Sequence, residues 1–416
     1  MPQFSTKDFL RRTPEKLIRA YFQEKEISLD ESFLQQHSKD ENSVPDTKNV
    51  EGRVGENESW KLPNVLEFIS KLPDQKRQEV ESDFAEIFSL YDDAGIVALL
   101  DEASFHGEKE DLLKEWGEDS SVEARVFSAF LYHPEIWKGA TRFHDADTTR
   151  ASYWCGLKDL PGGPADVSEA AAHRLAQEVG KLFVEMHGKG HHCVVDMYKR
   201  GEKDYYFAYP EDYCRETMQW RGSELERTRT RFAETIIFVY DQKAKTLDVC
   251  CKGVNKKIER LQQIFGECIL GIPALSATRR AKKLYELDVL LDKDFQFKYP
   301  SDAPIEKVCV SKLRLARSSG FNERYILENP AWKENPELMS QMLETFDNKY
   351  NLNNFTVTRA EIKVVVTEAD GTECTETIQV TPPNRCTLQH NQKDDVLRQM
   401  LFMSGIADTG ANNMER

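Results

Sequence analysis

The sequence predicts an α+β fold, with a helical N-terminal region followed by a hairpin-rich antiparallel sheet region with packed helices. Three observations support this expectation. Apolar residues recur at helical spacing up to about residue 188. Beyond about residue 190, short strand-like runs are separated by turn residues. These runs come in adjacent pairs and do not alternate with helices, which favours antiparallel pairing.

The N-terminal region contains the helical patterns. Amphipathic helices are expected at 6–22, 65–72, 80–100, 122–131 and 169–186. Residues 35–60 are polar with few apolar anchors and are expected to form a flexible linker. The proline and glycine run at 161–164 marks a loop before the last of these helices. No strand is expected before about residue 190.

The second region combines hairpins with three helices. The expected hairpins join 193–198 to 204–209, 234–240 to 246–251, and 356–367 to 373–380. Further strand candidates are 284–291, 295–297 and 307–315, and helices are expected at 256–270, 336–350 and 394–403.

A chain of 416 residues is long for one core, so two or three domains are expected. The predicted division has six parts. These are an N-terminal helix at 1–34, a linker at 35–60, a helical domain at 61–188, an α+β domain with a basic face at 189–330, a C-terminal helix-hairpin-helix subdomain at 331–405, and a loose tail at 406–416.

Charge is distributed unevenly along the chain. Residues 1–120 carry 15 Lys and Arg against 28 Asp and Glu, so almost all of the net charge of −15 lies in the first third. Residues 252–317 carry 14 basic and 8 acidic residues. An acidic front and a locally basic rear indicate two surfaces with different partners.

Composition narrows the protein class. No apolar run of about 18 residues predicts a membrane span, and the N-terminus shows no secretion signal. The nine cysteines are scattered without a CxxC pair, which favours reduced thiols in a cytoplasmic protein over a disulfide framework or zinc ribbon. The phosphate loop, the dinucleotide-binding turn and the nucleophile elbow are absent from the sequence.

The densest group of metal-ligand residue types is His187, His191, His192 and Cys193, where a helix gives way to a strand. Imidazole and thiolate are suitable zinc ligands. His192 and Cys193 would point to opposite faces of that strand, however, so one cluster cannot easily supply three ligands. The alternative is an ordinary helix end, with a glycine at positive φ.

A second candidate is the adjacent pair His144 and Asp145, with His133 upstream. An adjacent His–Asp pair resembles the metal-binding pair of HD hydrolases, which would imply metal-dependent phosphohydrolysis. The chain departs from that pattern, because the first histidine of the family lies further upstream and a later aspartate is needed. A polar loop between helices is the alternative.

A third candidate is the pair Glu361 and Lys363, which share one strand face. The pair resembles the carboxylate-x-Lys half of restriction-type nucleases, in which a further aspartate joins the metal site. Asp347 precedes the pair on a predicted helix and not on a strand, which departs from that pattern. A half-exposed strand with a cross-strand ion pair is the alternative.

An anion-binding surface is the fourth candidate. Asn255 is expected to cap a helix, and Lys256 and Lys257 occupy its first turn, where the helix dipole disfavours cations unless an anion is bound. Further basic residues extend this expected surface. They are Lys252, Arg279, Arg280, Lys282, Lys283, Lys312 and Arg314. A solvated, charged exterior is the alternative.

From these observations we expect a non-catalytic intracellular protein that acts in a complex through protein binding and through nucleic-acid or other anion binding. In texture the chain is similar to large prokaryotic proteins that include accessory components of anti-phage systems, although no stretch carries a family motif. The alternatives are a metal-dependent hydrolase or nuclease and a sequence-independent nucleic-acid binder. No cofactor is expected, other than a divalent metal under the hydrolase alternative. A protein partner is expected, DNA or RNA is a second partner class, and no membrane partner is expected.

Overall fold

The computed structural model describes residues 4–28, 62–117, 120–148, 153–161, 163–251, 255–273, 283–318, 323–367 and 372–408. The expected linker at 35–60 and positions 409–416 of the expected tail lie outside the described residues. The chain divides into two compact units. The helical unit comprises residues 1–145 and 220–224, and the sheet unit comprises 146–219 and 225–416. The domain boundaries expected from the sequence stay a prediction.

Eight helices lie in the first part of the described chain. They are α1 (Thr6–Arg12), α2 (Glu15–Glu24), α3 (Leu62–Lys71), α4 (Asp74–Ser89), α5 (Asp93–His106), α6 (Lys109–Trp116), α7 (Val122–Tyr132) and α8 (Pro134–Thr148). The helix predicted at 6–22 is divided, because Pro14 lacks an N–H and Thr13 before it is extended, with φ −89° and ψ 133°. The one predicted at 80–100 is divided at Asp92, whose carboxylate caps α5 by accepting from Gly95 N at 2.7 Å.

An aromatic cluster forms the centre of the helical unit. Phe9, Tyr21, Phe84 and Phe127 are each fully buried. The ring centroids of Phe9 and Phe84 lie 4.5 Å apart in a stacked arrangement. These side chains come from α1, α2, α4 and α7, so the helices that contribute the apolar stripes are held by one core.

Eleven strands are described, and they belong to the sheet unit except for residues 220, 221 and 224 at the ends of the third and fourth strands. They are β1 (Trp154–Leu157), β2 (Cys193–Arg200), β3 (Lys203–Arg221), β4 (Glu224–Ala233), β5 (Ile236–Asp241), β6 (Thr246–Cys250), β7 (Ile305–Arg317), β8 (Arg324–Glu328), β9 (Phe355–Thr367), β10 (Glu373–Thr381) and β11 (Arg385–Cys386). They form one sheet in the order β2-β3-β5-β6-β1-β11-β10-β9-β7-β8, with β4 paired to β3. The neighbouring strands pair antiparallel, which confirms the α+β prediction.

The first strand was not expected from the sequence. β1 pairs with β6 on one side and β11 on the other, and therefore joins the two halves of the sheet. The expectation of no strand before about residue 190 is wrong for a physical reason. All four residues of β1 are buried, so this short strand has no alternation of apolar and polar side chains.

Other strand expectations also differ from the structure. The candidate at 284–291 contains a 3-10 helix at Asp288–Leu291, and 295–297 forms no strand. Apolar side chains of both segments pack in a core, which explains their strand-like composition. Conversely, β4 and the outer half of β3 were not predicted, because both of their faces are largely exposed and no apolar alternation marks them.

Each half of the sheet has its own core. The helices α9 (Glu169–His187), α10 (Asn255–Cys268), α11 (Leu338–Tyr350) and α12 (Gln392–Met403) complete the unit. Side chains such as Phe183 of α9 and Phe265 of α10 pack with β5 and β6. Leu343 of α11 and Met400 of α12 pack with β7, β9 and β10. The polar face of that second half therefore lies opposite a filled core, and it carries the candidate site.

Candidate anion-binding site

Strand alternation places basic side chains on the outer face of β7. Leu313 and Leu315 are fully buried in the core, whereas Lys312 and Arg314 project from the opposite face. This is the alternation expected for a sheet with one covered face. The outer face is therefore available to polar and charged groups.

A β-bulge brings a second arginine beside Arg314. Arg314 lies opposite Arg359 of β9, and the next described pair is Leu315 with Val357. Thr358 is consequently the extra residue on β9. Bulges of this kind redirect side chains, and both Thr358 and Arg359 line the same cavity.

Four arginines surround this cavity, which has a volume of about 340 Å³. We call it the arginine cavity. Its lining consists of Tyr153, Arg314, Ala316, Arg324, Thr358, Arg359, Thr381 and Arg385. A neighbouring cavity of about 210 Å³ shares Arg314 and Arg359 and adds Lys312 and Glu361. The residues come from β7 to β11 and from the segment before β1, so long-range strand pairing assembles the site.

Arg359 is held in place by neutral groups. Its guanidinium donates to Oε1 of Gln379, which also accepts from the hydroxyl of Tyr153 at 2.7 Å. The guanidinium carbon lies 5.6 Å from the centre of the Tyr153 ring. The amide of Gln379 donates to Glu361 Oε2 at 3.2 Å, which fixes its orientation. Arg359 is thus positioned by direct partners that carry no charge.

The charge balance of the arginine cavity favours an anion. Among the residues that the structure describes, no carboxylate lines the cavity or pairs with Arg314, Arg324 or Arg359. Several guanidinium groups around one cavity repel each other, and an oxyanion is attracted by all of them. The planar guanidinium binds phosphate or carboxylate with two parallel hydrogen bonds. Tyr153, Thr358 and Thr381 add hydroxyl groups to the lining.

Glu361 and Lys363 lie together on β9. Lys363 Nζ lies 3.6 Å from Glu361 Oε1 and donates to Thr377 at 2.8 Å. Glu361 also accepts from Ser311 at 3.1 Å. Asp347 accepts from the backbone N–H of Leu352 at 2.8 Å, near the end of α11. Within the described chain, no group of three or more His, Cys, Asp or Glu side chains is placed to hold a metal ion.

The cluster at 187–193 forms the end of α9 and the start of β2. The carbonyl of His187 accepts from Tyr213, and the backbone N–H of His191 donates to Glu211 at 3.2 Å. His192 is exposed. Burial raises the pKa of the Cys193 thiol to about 12.

The histidines of the second candidate face different carboxylates. His144 is buried, with Nε2 at 3.5 Å from Asp92 Oδ1. His133 Nε2 lies 2.8 Å from Glu115 Oε2. The side chain of Asp145 lies outside the described residues. The described contacts therefore do not bring His133 and His144 together in one site.

The predicted anion-binding set is divided in the structure. Lys252, Arg279, Arg280 and Lys282 lie outside the described residues, as does the side chain of Asn255, which begins α10.

Lys257 is buried and is therefore not a surface cation, in contrast to the prediction. It is 3% exposed, pairs with Glu234 at 3.4 Å and lies 4.1 Å from the ring of Phe183. Lys256 is exposed, and Lys283 pairs with Glu286 at 3.0 Å. The two predicted residues that line the described cavities are Arg314 and Lys312, and Lys312 also pairs with Glu328 at 2.9 Å.

Sequence reasoning did not select Tyr153, Arg324, Arg359 or Arg385. Arg359 carries a usable signal, because it alternates with core residues in the same strand as Glu361. Arg385 has none, since β11 is only two residues long. No protein-family model and no curated protein sequence matches this chain. In the part of the chain that the structure describes, no helix is long and apolar enough to cross a membrane.

Proposed function

We propose that the protein is a non-catalytic binding protein that holds a phosphate-bearing anion in the arginine cavity and acts within a complex. One observation carries the proposal. Arg314, Arg324, Arg359 and Arg385 line one cavity of about 340 Å³ whose described lining contains no carboxylate. The lining supplies positive charge and hydrogen-bond donors, which are the groups that bind an oxyanion.

Charge and thiol chemistry support a partner class and a cellular compartment for this function. The excess of acidic residues in the first 120 positions supports a basic protein partner for that part of the chain. All nine cysteines are free, which supports residence in a reducing compartment such as the cytoplasm. The anti-phage setting suggested by the texture of the sequence stays a prediction.

Calorimetric titration of the full-length protein with inorganic pyrophosphate tests this proposal. The wild type is expected to bind saturably at low salt and more weakly as salt is raised. A hydrogen bond to a charged group contributes about 1.5–3 kcal/mol, so Arg359→Gln should weaken binding by about ten- to one-hundredfold.

The matched control is Arg11→Gln, which removes a guanidinium that is 68% exposed in the helical unit. This variant should bind pyrophosphate like the wild type. Equal affinity in the Arg359→Gln variant, or no saturable binding at low salt, would overturn the proposed function.

A further inference from the structure

The strands β3 and β4 extend beyond the rest of the sheet as a two-stranded ribbon. The described pairing of β3 with β2 ends at Pro210, and that with β5 ends at Ala208. Beyond these points the sheet pairing of β3 is with β4 alone. We call residues 211–233 the β3–β4 arm, of which residues 220–224 at the tip are assigned to the helical unit. Its strands are about ten residues long, which corresponds to roughly 34 Å.

A two-residue turn closes the arm and fixes its geometry. Gly222 has φ of +60°, the region that a tight hairpin needs at its first turn position. Thr217 of β3 donates to the carbonyl of Thr228 at 3.3 Å, and Gln219 reaches Thr230 at 3.5 Å. These contacts place the two threonines of β4 on one face of the arm.

The opposite face carries a row of arginines. Arg227, Arg229 and Arg231 alternate with Thr228 and Thr230, and all three arginines are exposed. Alternate residues of a strand are about 7 Å apart, so the three cations are evenly spaced along the arm.

Most of this charge is not compensated within the described chain. No described carboxylate forms an ion pair with Arg227 or Arg229. Arg231 lies 3.3 Å from Glu211 but remains 60% exposed. Met218, which shares the arginine face by alternation, is 57% exposed. The acidic residues at alternating positions of β3 in the arm are Glu216 and Asp212, and Asp212 pairs with Lys189. The row therefore presents a solvated positive stripe that suits a polyanion.

We propose that the β3–β4 arm binds double-stranded DNA, with the arginine row on the phosphate backbone. The major groove of B-form DNA is about 12 Å wide and admits a two-stranded ribbon. The major groove of duplex RNA is too narrow for protein side chains to read, so DNA is the duplex that fits the arm. Each arginine that neutralises a phosphate releases counterions, which gives binding without sequence preference. This site is separate from the arginine cavity.

Fluorescence anisotropy with a labelled 20-base-pair DNA duplex tests the inference on the full-length protein. The slope of log affinity against log salt changes by about 0.9 for each phosphate contact. The double variant Arg227→Gln/Arg229→Gln should therefore reduce the slope by about 1.8. The charge-preserving double variant Arg227→Lys/Arg229→Lys should retain the wild-type slope.

Two controls separate this site from others. Arg215→Gln removes one charge that is 63% exposed and already paired with Asp212, and it should leave the slope unchanged. The variant Arg227→Gln/Arg229→Gln should bind pyrophosphate like the wild type, because neither residue lines the arginine cavity, so failure of the proposed function and failure of this inference are distinguishable.

The inference is overturned by any of four results. These are no DNA binding at low salt, an unchanged slope in the glutamine double variant, an equal loss in Arg215→Gln, or equally strong binding of a duplex RNA or an acidic polypeptide. Circular dichroism of each variant verifies folding. If the glutamine variant is unfolded, the single variants Arg227→Gln and Arg229→Gln decide, each with an expected slope change of about 0.9.

Discussion

Lys189 is the cation at the base of the β3–β4 arm, and its removal should destabilise the sheet unit. Its Nζ lies 2.7 Å from Asp212 Oδ1 and also bonds with Glu234. The Lys189 side chain is 11% exposed and that of Asp212 is 7% exposed, so this ion pair is largely shielded from water. Lys189→Met keeps the aliphatic packing and leaves both carboxylates without their shared cation.

The pKa of Asp212 gives the size of the effect. The hydrogen bond from Lys189 is the first cause that lowers this pKa from 3.8 to about 2. A shift of nearly two pH units corresponds to about 2 kcal/mol of folding stability. Breaking a fully buried ion pair costs about 3–5 kcal/mol. Because Glu234 keeps its contact with Lys257 and Asp212 keeps its contact with Arg215, we expect Lys189→Met to cost about 2 kcal/mol at neutral pH.

The cost should depend on pH with a defined sign. The pKa of Asp212 is lower in the folded than in the unfolded chain, so its contribution is present above pH 4 and lost as the pH falls from about 4 to about 2. Urea denaturation at pH 7 and at pH 3 measures this. The difference in the free energy of unfolding between wild type and Lys189→Met should be smaller at pH 3 than at pH 7.

The control is Lys181→Met, which removes a lysine that is 69% exposed on α9 and should change stability by less than about 0.5 kcal/mol. A cost of Lys189→Met below about 0.5 kcal/mol, or one that is equal at both pH values, would refute the reasoning.

Two further predictions concern buried positions. A Cβ on Gly95 would lie 2.2 Å from the carbonyl oxygen of Leu90, so Gly95→Ala should lower the melting temperature. Gly163→Ala, whose Cβ would meet nothing within 4 Å, should leave it nearly unchanged, and equal effects in calorimetry would contradict this. Burial, aided by the charge of Arg398, holds the pKa of His390 well below 6.5. Stability should therefore fall as the pH drops below 6.5, because the unfolded chain takes up the proton first. His390→Gln should flatten that fall between pH 7 and pH 5 in urea denaturation, and an unchanged pH profile would count against it.

Local patterns predicted the elements whose faces differ in burial. The hairpin of β9 and β10 was expected because core side chains alternate with polar ones along β9. The helix α10 was expected because its apolar side chains fall on one face. β1 is buried throughout and β4 has no buried residue, so neither carries the apolar alternation on which the strand predictions rest.

The arginine cavity could not be located from local sequence. Tyr153 and Gln379 are 226 positions apart and meet in one hydrogen bond. Lys257 shows the converse, because its place in a basic helix start indicated a surface cation and the fold buries it beside Glu234. The arm carried a local signal, because arginine recurs at every second position at Arg227, Arg229 and Arg231, as on one face of a strand. The segment was not predicted as a strand because it lacks alternating apolar residues.

A crystal structure of the protein soaked with tungstate, a phosphate-shaped dianion, tests the anion-binding claim most directly. We expect an anomalous peak in the arginine cavity, within hydrogen-bond distance of Arg314 and Arg359. Peaks at other positions with this cavity unoccupied would contradict the account.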